Sequence, residues 1–175
     1  TDVPDFWPDS ENVRNDMLDY AYEIEYFDHH LVKIISELEK NGLLDNTLIV
    51  VTSDNGMPFP RVKGQVYPFD NHLPLAIRWG KGIKNPGRVI NDYFSFSDFA
   101  PTFLEAAGLA EEENSMAPFS GKPWGAVFSD LPNPKSRKHM IIGKERHDVG
   151  RENDQGYPVR GILKGNYFYS QNFKP

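Results

Sequence analysis

The sequence predicts an α/β protein: a sheet with flanking helices, plus a small antiparallel sheet appended at the C-terminal end. Three observations carry that expectation. A long amphipathic stretch occupies residues 11–41, a short all-apolar run follows at 48–51, and β-rich segments close the chain after residue 138. Helix, buried strand, further strands, a second helix and late strands is the order in which helices and a sheet pack as layers around one core.

Each element has a local reason. Residues 1–10 contain two prolines and read as an extended lead-in, with Asp9 or Ser10 available as an N-cap. From residue 11 the apolar positions Val13, Met17, Tyr20, Ile24, Phe27, Leu31, Ile34, Ile35 and Leu38 recur every three or four residues. That is one face of a helix, and Gly42 is well placed to stop it. Leu48, Ile49, Val50 and Val51 form a continuous apolar run, as in a strand covered on both faces. LPLAIRW at 73–79 reads as a second strand and VINDYFSF at 89–96 as a third, with the turn-rich GKGIKNPG between them. Ser97 or Asp98 then caps a helix through Ala107, with Pro101 tolerated in its first turn and Gly108 ending it. Residues 110–137 have little periodicity and read as a surface connection. HMIIGKE, YPVRGILK and YFYSQNF read as strands, the last two joined by a hairpin turn at Gly165 and Asn166.

Composition narrows the classes of function. A chain of 175 residues makes one sizeable domain or one lobe of a larger one. Its 39% apolar and 13% aromatic content supports a packed core rather than disorder. No apolar run approaches the roughly 18 residues that span a bilayer. The N-terminal TDVPDFWPDS has neither the basic region nor the apolar stretch of a signal peptide, and no initiator methionine, so the chain reads as an excised or processed piece. Cysteine is absent, which excludes disulfides, thiolate metal sites and cysteine nucleophiles within the segment. The net charge of −6 conceals an asymmetry: residues 1–60 hold thirteen acidic and three basic residues, and residues 61–175 hold twelve acidic and sixteen basic. The basic residues are scattered, which disfavours nucleic acid as a partner.

The chemistry concentrates at the end of the first strand, in TLIVVTSDNGMPFPRVK. Side chains at the carboxyl end of a buried α/β strand open into the crevice where ligands bind. Asp54 offers a charged oxygen and Asn55 a neutral one, both hard ligands suited to Ca²⁺ or Mg²⁺. Asp-Asn-Gly is equally good turn chemistry, so both readings stand at this point. Lys63, eight residues after Asn55, is either a solvated lysine or an ammonium that meets an anionic oxygen, with Arg61 as a competitor for that role. His29 and His30 are adjacent in a helix and point about 100° apart, so they do not form a one-face metal pair. His72 and His139 read as structural. His147, in KERHDVGRE beside Arg146, is either a solvent-facing residue or one that recognises a sugar or sulfate.

Several segments together resemble one family. Residues 22–42 followed by LLDNTLIVVTSDNG resemble the central stretch of type I sulfatases, within the alkaline phosphatase-like superfamily. SFSDFAPTFLEAAGL is similar to the helix that follows the next core strands in those enzymes. SDNGMPFPR with Lys63 looks most like the branch that includes heparan N-sulfatase and its bacterial relatives, and YPVRGILKGNYFYSQNF resembles the C-terminal subdomain. The resemblance covers most of the chain outside 1–10 and 110–137. It implies that residues 1–109 form the C-terminal part of an alkaline phosphatase-like core, 110–137 a connecting loop, and 138–175 a small antiparallel subdomain.

Carried over by position, the resemblance implies that Asp54 and Asn55 are two ligands of a divalent ion, Ca²⁺ with Mg²⁺ as the alternative. Lys63 would contact the substrate sulfate and stabilise departing negative charge, while Arg146 and His147 would recognise the substrate. Family members also carry two further metal-binding aspartates and a Cys/Ser-x-Pro-Ser-Arg motif, whose first residue becomes a formylglycine nucleophile. These 175 residues contain no such motif. The expected function is therefore that of a fragment of a hydrolase of sulfate esters or sulfamates on sulfated carbohydrate, one that alone binds metal poorly and hydrolyses nothing. A phosphodiesterase or phosphonate hydrolase of the same superfamily is one alternative, disfavoured because such relatives usually present Asp-His where this chain has Asp54 and Asn55. A glycan-binding relative without catalysis is the other. The resemblance points to the periplasm, the cell exterior or a lysosome-like compartment. An uncovered edge on the strand at 48–53 leads us to expect self-association.

Overall fold

The structure, a computed structural model, describes residues 2–109, 115–134, 136–146 and 151–174. The chain divides into two compact units, Thr1–Thr47 and Leu48–Pro175.

The first unit is built on helix α1, Glu11–Lys40. Ser10 stays extended, and its hydroxyl accepts from the Val13 N–H at 3.4 Å, so the expected cap forms. Gly42 takes φ +67°, a conformation open to glycine at little cost. The chain then closes the helix end with Gly42 N–H donating to Glu39 O and Leu43 N–H to Leu38 O, both at 2.9 Å. The periodicity predicts this helix correctly but not its burial. Along α1 only Met17 is buried, whereas Tyr22 is 65% and Ile34 59% exposed. Among the described residues of this unit the other regular element is the 3₁₀ turn Leu44–Asn46, which is too short to cover a 30-residue face.

In the second unit, strand β1 (Ile49–Thr52) pairs antiparallel with β2 (Leu75–Arg78). Its residues are half-buried throughout, which corrects the expectation of a strand covered on both faces. A short helix α2, Pro68–Asn71, lies between the two strands in sequence. The third expected strand, at 89–96, does not form. Tyr93 makes an isolated antiparallel bridge with Arg137, and Val89 is 86% exposed. The β-favouring residues Val89, Ile90, Tyr93, Phe94 and Phe96 are present there, but among the described residues no neighbouring strand extends the pairing.

Helix α3, Phe99–Ala106, follows a 3₁₀ turn over Phe96–Asp98. Asp98 takes the N-cap position of this helix, one of the two expected, but its side chain makes no capping hydrogen bond there. Ser95 caps the turn, and the Asp98 carboxylate bends back onto the Ser95 N–H at 2.9 Å. Within the stretch read as a surface connection, helix α4 (Gly125–Phe128) brings Trp124 and Phe128 into the core. The Trp124 ring sits edge-on to Phe94 at 4.9 Å and to Phe99 at 5.2 Å.

The late strands form as expected: β3 (Met140–Lys144), β4 (Val159–Lys164) and β5 (Tyr167–Asn172), antiparallel in that order. The turn at Gly165 and Asn166 places Lys164 opposite Tyr167, and the Gly165 N–H donates to the Tyr93 hydroxyl at 3.1 Å.

Asp98 is the polar hub of this unit. It is wholly buried, yet each oxygen is satisfied: Arg137 donates through two nitrogens at 2.5 and 2.6 Å, the Lys122 N–H at 2.8 Å and the Trp124 indole at 3.2 Å. Burial alone pushes its carboxyl up, but the donors from Arg137, Ser95, Lys122 and Trp124 together hold it below the ordinary value.

Candidate metal and sulfate site

β1 delivers Ser53, Asp54 and Asn55 to its carboxyl end, where Asp54 and Asn55 line a cleft together with Thr52, Asp70 and His72. Local hydrogen bonds orient both candidate ligands. One Asp54 carboxylate oxygen accepts from the Asn55 N–H at 3.0 Å, and the Asn55 amide nitrogen donates to Gly56 O at 2.8 Å. The other Asp54 oxygen and the Asn55 Oδ1 therefore accept no hydrogen bond from the described residues. The turn reading and the ligand reading prove compatible: the turn uses the donors and leaves hard oxygens over. That donor set fits a hard divalent cation, which takes ~6–8 oxygen ligands. It supplies only part of such a shell, and among the described residues no group of three His, Cys, Asp or Glu side chains could hold a metal ion.

The following loop turns back on Asn55. Gly56 is required for close approach, since a Cβ there would lie 2.3 Å from Phe69 O and 2.7 Å from Val62 Cγ1. Val62, the residue before Lys63, is fully buried against that glycine. The buried Asp70 ties the loop at two points, accepting from the Gly56 N–H and the Gln65 N–H at 2.9 Å each. The Asn71 amide donates to Gln65 O and Tyr67 O at 3.0 Å. Lys63 is thus carried on a loop whose neighbouring residue contacts the one after Asn55. Its side chain is exposed, makes no hydrogen bond or ion pair with the described residues, and is not among those lining the cleft.

Of the candidate substrate-binding residues, Arg146 does not line this cleft. Arg146 is about half exposed and pairs with Asp154 at 2.8 Å. His147 lies outside the described residues. His72 ends α2, its N–H on Pro68 O at 2.7 Å, and also lines the cleft. Sequence reasoning missed Asp70, because a single aspartate in a proline-containing loop carries no periodic signal.

A sequence profile described as Sulfatase matches residues 2–109, and the chain belongs to the sulfatase family. Its mixed helix and sheet arrangement, with small antiparallel sheets, is a fold shared with solved structures. Among curated relatives, the N-sulphoglucosamine sulphohydrolase of Homo sapiens is 32% identical over 98% of this chain and 34% of its own length. The ulvan-active sulfatase of Formosa agariphila is 27% identical over 99% of this chain and 27% of its own length. The chain therefore spans about a third or less of these relatives. Among solved structures, the phosphonate monoester hydrolase SpPMH of Silicibacter pomeroyi has TM-score 0.67 at 22% identity, covering 83% of this chain and 30% of its own. A sulfatase structure from Bacteroides thetaiotaomicron has TM-score 0.64 at 18% identity, covering 81% of this chain and 30% of its own.

Proposed function

We propose that these residues form part of a sulfatase that cleaves sulfate esters or sulfamates on sulfated carbohydrate. Asp54 and Asn55 hold a divalent cation, Ca²⁺ or Mg²⁺, through the oxygens their turn leaves free. When bound, that cation supplies Lewis acidity toward the sulfate group. The Lys63 ammonium contacts a sulfate oxygen and neutralises charge as the ester bond breaks. Arg146 and His147 belong to substrate recognition in this reading. The remaining metal ligands and the formylglycine nucleophile are supplied from outside the 175 residues, and the parent protein works in the periplasm, outside the cell or in a lysosome-like compartment. Residues 1–109 serve as core, 110–137 as connection and 138–175 as a C-terminal subdomain.

The observation that carries the reading is the pair of uncommitted hard oxygens on adjacent cleft-lining residues at the carboxyl end of β1. The test is a Ca²⁺ titration of the full-length protein followed by thermal unfolding, alongside turnover of an aryl sulfate. Asn55→Ala should weaken Ca²⁺-dependent stabilisation and lower kcat about 10-fold or more, while unfolding without metal stays near wild type. Unchanged Ca²⁺ response and turnover would remove Asn55 from the ligand set. Preference for a phosphonate monoester over the aryl sulfate would move the reading to the other branch of the superfamily.

A further inference from the structure

The loop bearing Lys63 is held from its far side by the C-terminal sheet, and one basic residue does most of that holding. Lys144, the last residue of β3, donates its ammonium to Gly64 O at 2.9 Å and to the Gln65 Oε1 at 3.3 Å. The same ammonium lies 4.9 Å from the centre of the Tyr157 ring. Apolar contacts accompany it: the Tyr67 ring meets Phe168 edge-on at 6.1 Å, and a Cβ on Gly161 would stand 3.5 Å from Val66 O. The loop is therefore clamped between Asp70 on one side and Lys144 on the other, and Lys63 lies between the buried Val62 and the clamped Gly64.

Lys144 is unusual in what holds it. It is half-buried, and its partners among the described residues are carbonyl oxygens and a ring face, with no carboxylate.

We propose that Lys144 is a positioning residue for anion capture: it fixes the Gly64–Gln65 peptide so that Lys63 is presented to a sulfate group. The proposal rests on the reading of Lys63 as the sulfate contact. It makes the C-terminal sheet part of the sulfate site without touching the substrate.

The test is titration of the full-length protein with inorganic sulfate, read by calorimetry, on Lys63→Ala, Lys144→Met, Lys144→Arg and the double variant Lys63→Ala/Lys144→Met. Lys63→Ala and Lys144→Met should each weaken sulfate binding about tenfold or more, the effect of losing one hydrogen bond to a charged group. The double variant should bind no more weakly than Lys63→Ala, because Lys144 acts through Lys63. Lys144→Arg should recover most of the affinity, as a guanidinium can donate to Gly64 O and stack on Tyr157. Lys144→Gln is judged by the same titration, so a methionine variant that fails to fold does not end the test. Wild-type sulfate affinity in Lys144→Met or Lys144→Gln, with loss in Lys63→Ala, overturns the proposal and leaves the Lys63 reading standing. Full additivity in the double variant also overturns it. Wild-type affinity in Lys63→Ala refutes the underlying reading and the proposal with it.

Discussion

Removing the Asp98 carboxylate should destabilise the second unit more than any other single polar change in it. In Asp98→Ala the Arg137 guanidinium loses both of its carboxylate contacts, and the Trp124 indole and the Ser95 and Lys122 N–H groups lose the carboxylate as acceptor. Summing five hydrogen bonds would overcount, because they share one acceptor group and act together. The better guide is the cost of breaking a buried ion pair from one side, about 3–5 kcal/mol. Arg137 keeps 18% exposure and can be partly rescued by water, which places the expectation near the lower end, at ~3 kcal/mol. Asp98→Asn should recover little, since its amide nitrogen would face donors. The pH dependence has a definite sign. Because the folded-state carboxyl is held below its ordinary value, its contribution is fully present above the unfolded pKa of ~3.9 and is lost as pH falls through the folded value. Asp98→Ala should therefore flatten the acid side of the stability profile below about pH 4. Urea unfolding followed by tryptophan fluorescence at pH 7 and along an acid series measures both effects, with Trp124 as a reporter inside the network. A loss under ~1 kcal/mol at pH 7, or an acid limb identical to wild type, would refute the claim that this carboxylate organises the unit.

Two further expectations follow from the geometry. Gly56→Ala forces a methyl group against the Phe69 carbonyl and Val62; it should cost about 1–3 kcal/mol by thermal or urea unfolding and shift Asn55, and a wild-type midpoint would contradict that close approach. The 175-residue chain expressed by itself should self-associate, because among the described residues β1 and β2 pair only with each other and each keeps an open edge; sedimentation showing a single monomeric species across a hundredfold concentration range would argue against it.

Much of the secondary structure was legible because its signals are local. The three- and four-residue spacing of apolar positions specifies α1, the Ser10 cap and Gly42 mark its ends, and Gly165 with Asn166 marks the hairpin. At Asp54 and Asn55 the residues alone left two readings, turn and metal ligand, because Asp-Asn-Gly after a strand suits both. Local pattern failed where pairing decides the outcome. Residues 89–96 are rich in β-favouring side chains yet pair, among the described residues, only through Tyr93, and 110–137 lack periodicity yet contribute Trp124 and Phe128 to the core.

What this sequence determines unaided is therefore what adjacent residues impose on one another: helix, caps, hairpin and the oxygen pair at the end of β1. Tertiary structure alone decides which charges meet. Arg137 reaches Asp98 across 39 residues and Lys144 reaches Gly64 across 80, while Asp70 closes on Gly56 across 14. None of these contacts leaves a local trace, because a buried polar group is specified by the partner that satisfies it, and that partner is chosen by the packing of the chain.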